Sequence, residues 1–457
     1  MTVEPEESPS KRNRVAPMAR TLIQSVVDSL RVSGPAEAPL SSLRKFPERA
    51  WQRCLPWLHE SGLALYFLDR LRIADSVEVL PSRIRTQLEE DLLANRRRLE
   101  VMRNELGTLL GAFDEARVNY LVLKGLALVP EFCPDAGLRS QYDYDFLVHP
   151  ESAPAARRAL EACGYTQKVK SPGYAKEEES LFTAQPLTIP SSDQGFYSLA
   201  IPRDVELHLA LWETNQDMIA VETPQDVLGR KRLVNWQGLN FPAMADDDAL
   251  IAQALHAFQH VVNFWCKPSW FFEISRFLAN RRSDEAFNDR LRLRVNGHRH
   301  LAQILGLVFS LSETLFAAPL APELARWTTW TLPRSLSCWV EEHGQKWALA
   351  RFPGDKRSLV VHREFVDDPA VRKQVERRHL FPFHRPAKVV EPSDRRFSSS
   401  WKARWQQGRF VLSRLRFHLH GLVRYKWEIF RRRSRLAAGR GCWGPKTSKV
   451  SKVSVGP

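Results

Sequence analysis

The 457-residue sequence predicts an α+β protein in which a few strands sit between two long helical regions. Three observations predict it. Apolar residues recur at helical spacing through much of the first 118 residues and again after residue 242. Between them, Asp204-Val205-Glu206-Leu207-His208-Leu209-Ala210-Leu211 largely alternates polar and apolar residues, the pattern of a half-buried strand. Hydrophobic residues make up 44% of the chain, with 14 Trp and 24 Phe, which excludes a disordered protein and allows two or three domains with real cores.

The elements follow in order. Met1–Val15 is polar and expected to be disordered. Met18–Val32 carries Leu22, Ile23, Val26, Val27 and Leu30 on one helical face, and Ser33, Gly34 and Pro35 open the link that runs to Pro39. Leu43–Arg72 holds two or three helices with Trp51, Leu55, Trp57 and Leu58 as core. Pro81 opens a long helix to about Arg117, on which the run Arg96-Arg97-Arg98 reads as a solvated face. Leu121–Val148 reads as a strand, a turn at Lys124 and Gly125, a short helix, then Arg139 and a second strand with Asp143 and Asp145. Lys168–Pro202 has weak periodicity and two turn clusters, and is expected to form a hairpin or a loop over a substrate. Asp246–Leu278 reads as a pair of helices. On the first, His256 and His260 are four residues apart; a packed pair is preferred to a zinc site, because no third ligand is spaced to join them. Trp327–Trp347 and Arg363–Pro386 are expected to form a helical subdomain beside the cleft, and no internal repeat is present.

The chemistry is concentrated in the strands. Side chains at i and i+2 of a strand share a face, so the carboxylates of Asp143 and Asp145 stand side by side. Such a pair raises its own proton affinity unless a cation lies between, and a hard divalent ion that also binds phosphates is the natural resolution. Lys124 and the amides after Gly125 would favour a phosphate nearby. Asp204, Glu206 and His208 share one face of their strand, so Glu206 can complete a three-carboxylate cluster if the two strands pair. Alone, an Asp-x-Asp pair is more often two solvated positions. The order Lys-Gly, Arg139, acidic pair, acidic strand instead outlines a phosphoryl- or nucleotidyl-transfer site.

Leu-Lys-Gly-x-Ala-Leu (Leu123–Leu128), Gly-Leu-Arg (Gly137–Arg139), Asp-Tyr-Asp-Phe-Leu-Val (Asp143–Val148) and Val-Glu-Leu-His (Val205–His208) together resemble the uncharacterised bacterial nucleotidyltransferase family, within the polymerase-beta-like nucleotidyltransferase superfamily. Arg53–Leu123 resembles its helical lead-in, and Ala249–Leu278 its helical segment after the sheet. The broad superfamily has Gly-Ser where this chain has Lys124-Gly125, and more commonly Asp where it has Glu206. The resemblance implies a small mixed sheet flanked by helices, with Mg²⁺ or Mn²⁺ held by Asp143, Asp145 and Glu206. A nucleoside triphosphate would lie near Lys124, Gly125 and Arg139, with His208 as an accessory group. Arg139 has an alternative role as a structural clamp on Asp143 or Asp145. The acceptor would be a hydroxyl of a protein, an RNA, a sugar or a small molecule. The domains expected are a disordered 1–17, a helical 18–118, a nucleotidyltransferase core 119–241, a helical 242–390 and a basic amphipathic tail 391–457. Two rival classes stay open: a catalytically silent nucleotide-binding module, and an adaptor that recruits membrane or nucleic acid through the tail.

The net charge of +15 belongs to that tail. Residues 395–440 carry +13 and Lys446, Lys449 and Lys452 add +3, which leaves −1 for residues 1–394. Phe410–Leu436 interleaves Leu412, Leu415, Leu419, Leu422, Trp427 and Phe430 with arginines, and reads as a basic amphipathic helix. Such a helix can lie on an anionic membrane, bind nucleic-acid phosphates, or pack its apolar face on the body. The six scattered cysteines include no Cys-x-x-Cys pair, and the acidic N-terminus lacks a secretory pattern, so a cytoplasmic protein is expected, with peripheral membrane contact open.

Overall fold

The computed structural model describes residues 9–33, 37–168, 180–183, 195–201, 203–214, 218–351, 354–381 and 401–438. The N-terminal helices are α1 (Pro9–Ser29), α2 (Glu37–Leu43), α3 (Glu48–Glu60), α4 (Ala64–Ile73) and the 34-residue α5 (Ser82–Glu115). Residues 9–17 are helical where the sequence suggests disorder through residue 17. Lys11, Arg12 and Arg14 are polar but good helix formers, so a lack of apolar periodicity does not exclude a helix.

Next come β1 (Tyr120–Leu123), β2 (Asp143–Val148), α6 (Ala153–Ala162), β3 (Thr166–Gln167), β4 (Ser180–Thr183), β5 (Asp204–His208), β6 (Arg232–Trp236) and β7 (Leu239–Ala243). They form one mixed sheet in the order β3-β4-β5-β2-β1-β7-β6. β1 and β2 are antiparallel, with Leu123 opposite Asp145. β2 and β5 are parallel, with Asp145 opposite Glu206 and Asp143 opposite Asp204. Much of the stretch expected to cover a substrate (residues 169–179 and 184–194) lies outside the described residues.

The alternation along the strands splits the core in two. Tyr120, Val122, Tyr144, Phe146, Val205 and Leu207 join Leu99, Met102, Leu106 and Leu110 of α5 in one buried cluster. Leu121 and Leu147, on the other face, join the larger cluster, built from the first part of α5 and most of the other helices. Those helices include α7 (Asp246–Val262), α8 (Pro268–Asn280), α9 (Glu285–Val295) and α10 (Leu301–Phe316). Five short ones follow: α11 (Pro322–Trp327), α12 (Arg334–Trp339), α13 (Gln345–Ala348), α14 (Leu359–His362) and α15 (Pro369–Leu380). The last is α16 (Trp401–Ala438), 38 residues long. No described helix is long and apolar enough to cross a membrane. Cys54, Cys133, Cys163, Cys266 and Cys338 are unbridged thiols.

α5 does more than pack. Arg98, read from sequence as part of a solvated run, is fully buried and donates to the carbonyls of Gln141 (3.1 Å) and Ser198 (2.6 Å). Asn95 donates to the carbonyls of Gly137 (2.8 Å) and Arg139 (3.0 Å). Glu105 accepts from Arg203, immediately before β5, at 2.6 and 2.7 Å, and from the Tyr144 hydroxyl at 2.8 Å. Positions 95, 98, 102, 105 and 106 share one helical face, so polar side chains on the packed face of α5 fix the approaches to both acidic strands.

Candidate active site

The parallel pairing of β2 with β5 brings Asp145 and Glu206 to neighbouring positions on one face of the sheet, and His208 projects from the same side. Oxygen and nitrogen atoms of Asp145, Glu206 and His208 lie within 4.8 Å of one another. His208 Nε2 is 2.9 Å from Asp145 Oδ1 and 3.6 Å from Glu206 Oε2. Asp143 is not in that tight group; it lies beside it on the wall of the cleft.

The cation between the carboxylates is Lys124. Its ammonium donates to Asp145 Oδ1 at 2.8 Å, and the two side chains are 20% and 3% exposed. Lys124 reaches this point because its backbone takes a positive φ of 49°, a conformation that costs a residue with a Cβ about 1–3 kcal/mol. Gly125 follows with φ +49°, and the Gln141 amide fills the space where a Cβ would stand, 2.3 Å from it. Gln141 in turn donates to the Asp143 carbonyl at 3.0 Å. Gly125–Leu128 is a single buried 3-10 turn, so it offers a much weaker dipole to a phosphate than a full helix would.

Electrostatics follow from this packing. Burial works to raise the Asp145 carboxyl, but Lys124 and His208 outweigh it and hold it well below the usual carboxylate range. Asp143 and Glu206 go the other way, pushed up by burial and then by the charge of Asp145. Burial also opposes the Lys124 ammonium, yet Asp145, Glu206 and Asp143 together raise its proton affinity. All three acids thus draw on Lys124; Arg139 and Lys267 also temper Asp143, and His208 tempers Glu206, yet both carboxyls stay raised.

Around this floor opens a cleft of about 450 Å³. Its opposite wall comes from α7, α8 and the loop joining them. His256 and His260 pack on Trp270, with ring centroids at 4.6 and 4.3 Å, and Trp265 lies nearby. This is the packed pair expected from sequence, and among the described residues neither histidine belongs to a group able to hold a metal. Lys267, lowered by burial and by Arg139, sits over the Tyr142 ring at 5.5 Å. Arg139 lines the cleft but makes its ion pair with Glu273 of α8, at 3.1 Å, rather than with either aspartate. Glu273 also accepts from the Tyr66 hydroxyl of α4 at 2.9 Å. Among the described residues, the stretches Trp327–Trp347 and Arg363–Pro386, expected beside the cleft, contribute none to its lining.

Lys267, Glu273 and Trp270 were not singled out from sequence. Glu273 meets Arg139 and Tyr66, and Lys267 meets Tyr142, across more than 120 positions, and local spacing carries no trace of such pairings; Trp270 packs on the nearby His256 and His260.

The lincomycin-bound lincosamide antibiotic adenylyltransferase LnuA is 14% identical to this chain, over 38% of this chain and 94% of that one, with a TM-score of 0.24. An antigenic nucleotidyltransferase-like protein from Paracoccidioides brasiliensis is also 14% identical, over 42% of this chain and 92% of its own, with a TM-score of 0.22. Superpositions this loose say nothing of a substrate. No curated protein sequence matches the chain. The family model for the uncharacterised nucleotidyltransferases matches residues 47–317, a span that contains the acidic strands, the cleft and its helical wall, and the chain belongs to that family.

Proposed function

We propose that the protein is a metal-dependent nucleotidyltransferase that moves a nucleoside monophosphate from a nucleoside triphosphate to a hydroxyl acceptor. The observation that carries this reading is the parallel register of Asp145 with Glu206 at the floor of a cleft large enough for a nucleotide. The donor set fits a divalent ion. Asp145, Glu206 and His208 offer oxygen and nitrogen atoms converging on one point, and the raised proton affinity of Asp143 and Glu206 is the strain that a second positive charge relieves. Asp145 and Glu206 would hold the ion, with Asp143 and His208 beside them; Mg²⁺ suits the carboxylates, and the imidazole makes Mn²⁺ equally acceptable. When bound, such an ion neutralises phosphate charge and lowers the proton affinity of a hydroxyl.

The chain's own side chains supply the rest. Lys124 is placed to neutralise charge on the triphosphate, and Lys267 brings a second ammonium to the same cleft. Glu206, whose carboxyl is pushed up, is suited to take the acceptor proton. Arg139, held by Glu273, fixes the loop that enters β2 and adds positive potential near Asp143. Trp265, half-buried on the same wall, offers an aromatic surface for a base or an acceptor.

The test is to incubate the full-length protein with each labelled nucleoside triphosphate, Mg²⁺ or Mn²⁺ and a cell extract. Pyrophosphate should be released and one extract component labelled. Both signals should vanish in the Asp143→Asn/Asp145→Asn double variant while its circular dichroism stays native; unchanged turnover would reject the mechanism.

A further inference from the structure

α16 docks through its polar side. Gly421, Tyr425, Glu428 and Arg432, at spacings of four, three and four, are buried against the body. Gly421 lies so close to Lys356 that a Cβ there would stand 2.6 Å from a lysine methylene. Glu428 is bonded by Arg432 at 3.2 Å and lies 3.0 Å from His343 Nε2. The opposite side is apolar and open to water: Leu412, Leu415, Leu419, Val423, Trp427 and Phe430 are each more than half exposed. They form one line of roughly 27 Å, at 1.5 Å per residue. An apolar ridge of that length on a helix with another face already docked marks an interaction surface.

The charges beside the ridge identify the partner. Arg409 and Arg416 flank it on one edge, Lys426 and Arg433 on the other, and the only acid of the helix, Glu428, is buried on the far side. We propose that this outer face of α16 docks the protein on an anionic membrane surface. The helix would lie in the plane of the interface, its ridge at the acyl boundary and its cations among the headgroup phosphates.

Two other occupants fit less well. A second copy would bring two cation-edged ridges together with no acid on either outer face to pair them. Nucleic acid would use the cations and find rings at Trp427 and Phe430, but the longer part of the ridge, Leu412, Leu415, Leu419 and Val423, presents none on which a base can stack. A cavity of about 1220 Å³ runs alongside the helix, with Arg20, Lys346, Arg351, Arg424 and Arg431 in its walls and Trp427 at its rim. Of these, Arg351 pairs with Glu60 at 2.7 Å, Arg424 with Asp355 at 3.6 Å and Arg431 with Glu428 at 3.0 Å, so the cavity adds little to the positive potential of the ridge.

The experiment is co-sedimentation of the full-length protein with vesicles, either phosphatidylcholine alone or an equal mixture with phosphatidylglycerol. Binding should be at least about tenfold stronger to the anionic vesicles and should fall as salt is raised. Leu412→Ser/Leu419→Ser should weaken it more than tenfold, and Arg416→Gln/Lys426→Gln roughly thirtyfold, with melting temperatures unchanged. Three outcomes would overturn the proposal. One is equal sedimentation of the wild type and the serine variant. Another is a concentration-dependent dimer, dispersed by the serine variant, without vesicle binding. The third is retention of a single-stranded oligonucleotide that is lost in that variant, again without vesicle binding.

Discussion

In the cleft, Lys124, Asp145 and His208 stand within about 3 Å of their partners and are nearly out of water. Along the outer face of α16, Arg409, Arg416, Lys426 and Arg433 stand in solvent with no acid of their own helix on that side. The cleft concentrates opposite charges where each depends on the other for its place in a low-dielectric interior. The helix spreads like charges where water screens them. Removing a charge therefore has opposite meanings in the two regions: in the cleft it changes both stability and chemistry, on the helix it changes only what the protein can touch.

The largest effect should come from splitting the acidic pair. Asp143→Asn and Asp145→Asn should each lower pyrophosphate release by about a thousandfold or more. Their stabilities should diverge in denaturant titrations. Asp145→Asn strands the Lys124 ammonium and should cost about 3 kcal/mol. Asp143→Asn removes a carboxylate already disfavoured by burial and by Asp145, and should be neutral or stabilising. Equal losses would mean that the two aspartates share one environment after all.

Lys124→Met should come next. It leaves Asp145 without its ammonium and should lower the metal-free melting temperature by several degrees. Added Mn²⁺ should restore more stability to this variant than to the wild type, because the vacated charge is what the ion replaces. A flat response of both proteins to Mn²⁺ would argue against an ion at these carboxylates.

A pH effect concerns how α16 is held. Burial and then Arg414 push the Lys356 ammonium down to about 7 from an ordinary 10.5. It faces His418 Nδ1 at 2.5 Å, the His379 carbonyl at 2.6 Å and the rings of Phe264 and Phe417. Both histidines are pushed down as well, to about 4 and about 3, and so stay neutral through the relevant range. Between pH 7 and 10.5 the unfolded chain holds a proton on this lysine that the folded chain has lost, so stability should rise with pH across that window. Thermal melts should show the rise, and Lys356→Met should flatten it. The least effect should come from Leu412→Ser on the exposed ridge, within about 0.5 kcal/mol of wild type and with unaltered pyrophosphate release.

Much of the cleft floor was legible in the sequence, because strand alternation is local. Asp143, Asp145, Glu206 and His208 could be assigned to faces from their spacing alone, and the parallel register then set Asp145 beside Glu206. The ion pairs that hold the wall were not legible. Glu273 meets Arg139 across 134 positions and Tyr66 across 207. Arg98 looked solvated because it sits in a run of three arginines; only the packed face shared with Leu99, Met102 and Leu106 betrays it. For α16 the periodicity announced an amphipathic helix but not its orientation. Gly421, Tyr425, Glu428 and Arg432 find partners in the body, so the apolar side is the one left outside.

Glu273 has a consequence for anyone who would take the molecule apart. Its carboxylate receives Tyr66 from the helical lead-in and Arg139 from the loop that enters the sheet, while it belongs itself to the helices that follow. Fragments severed at either junction would each bare a polar stub inside an opened interior, and co-expressed halves would have to reunite around it to hide the cost. Chimeras that exchange the lead-in or transplant the strands should carry Tyr66, Arg139 and Glu273 together as one inherited set.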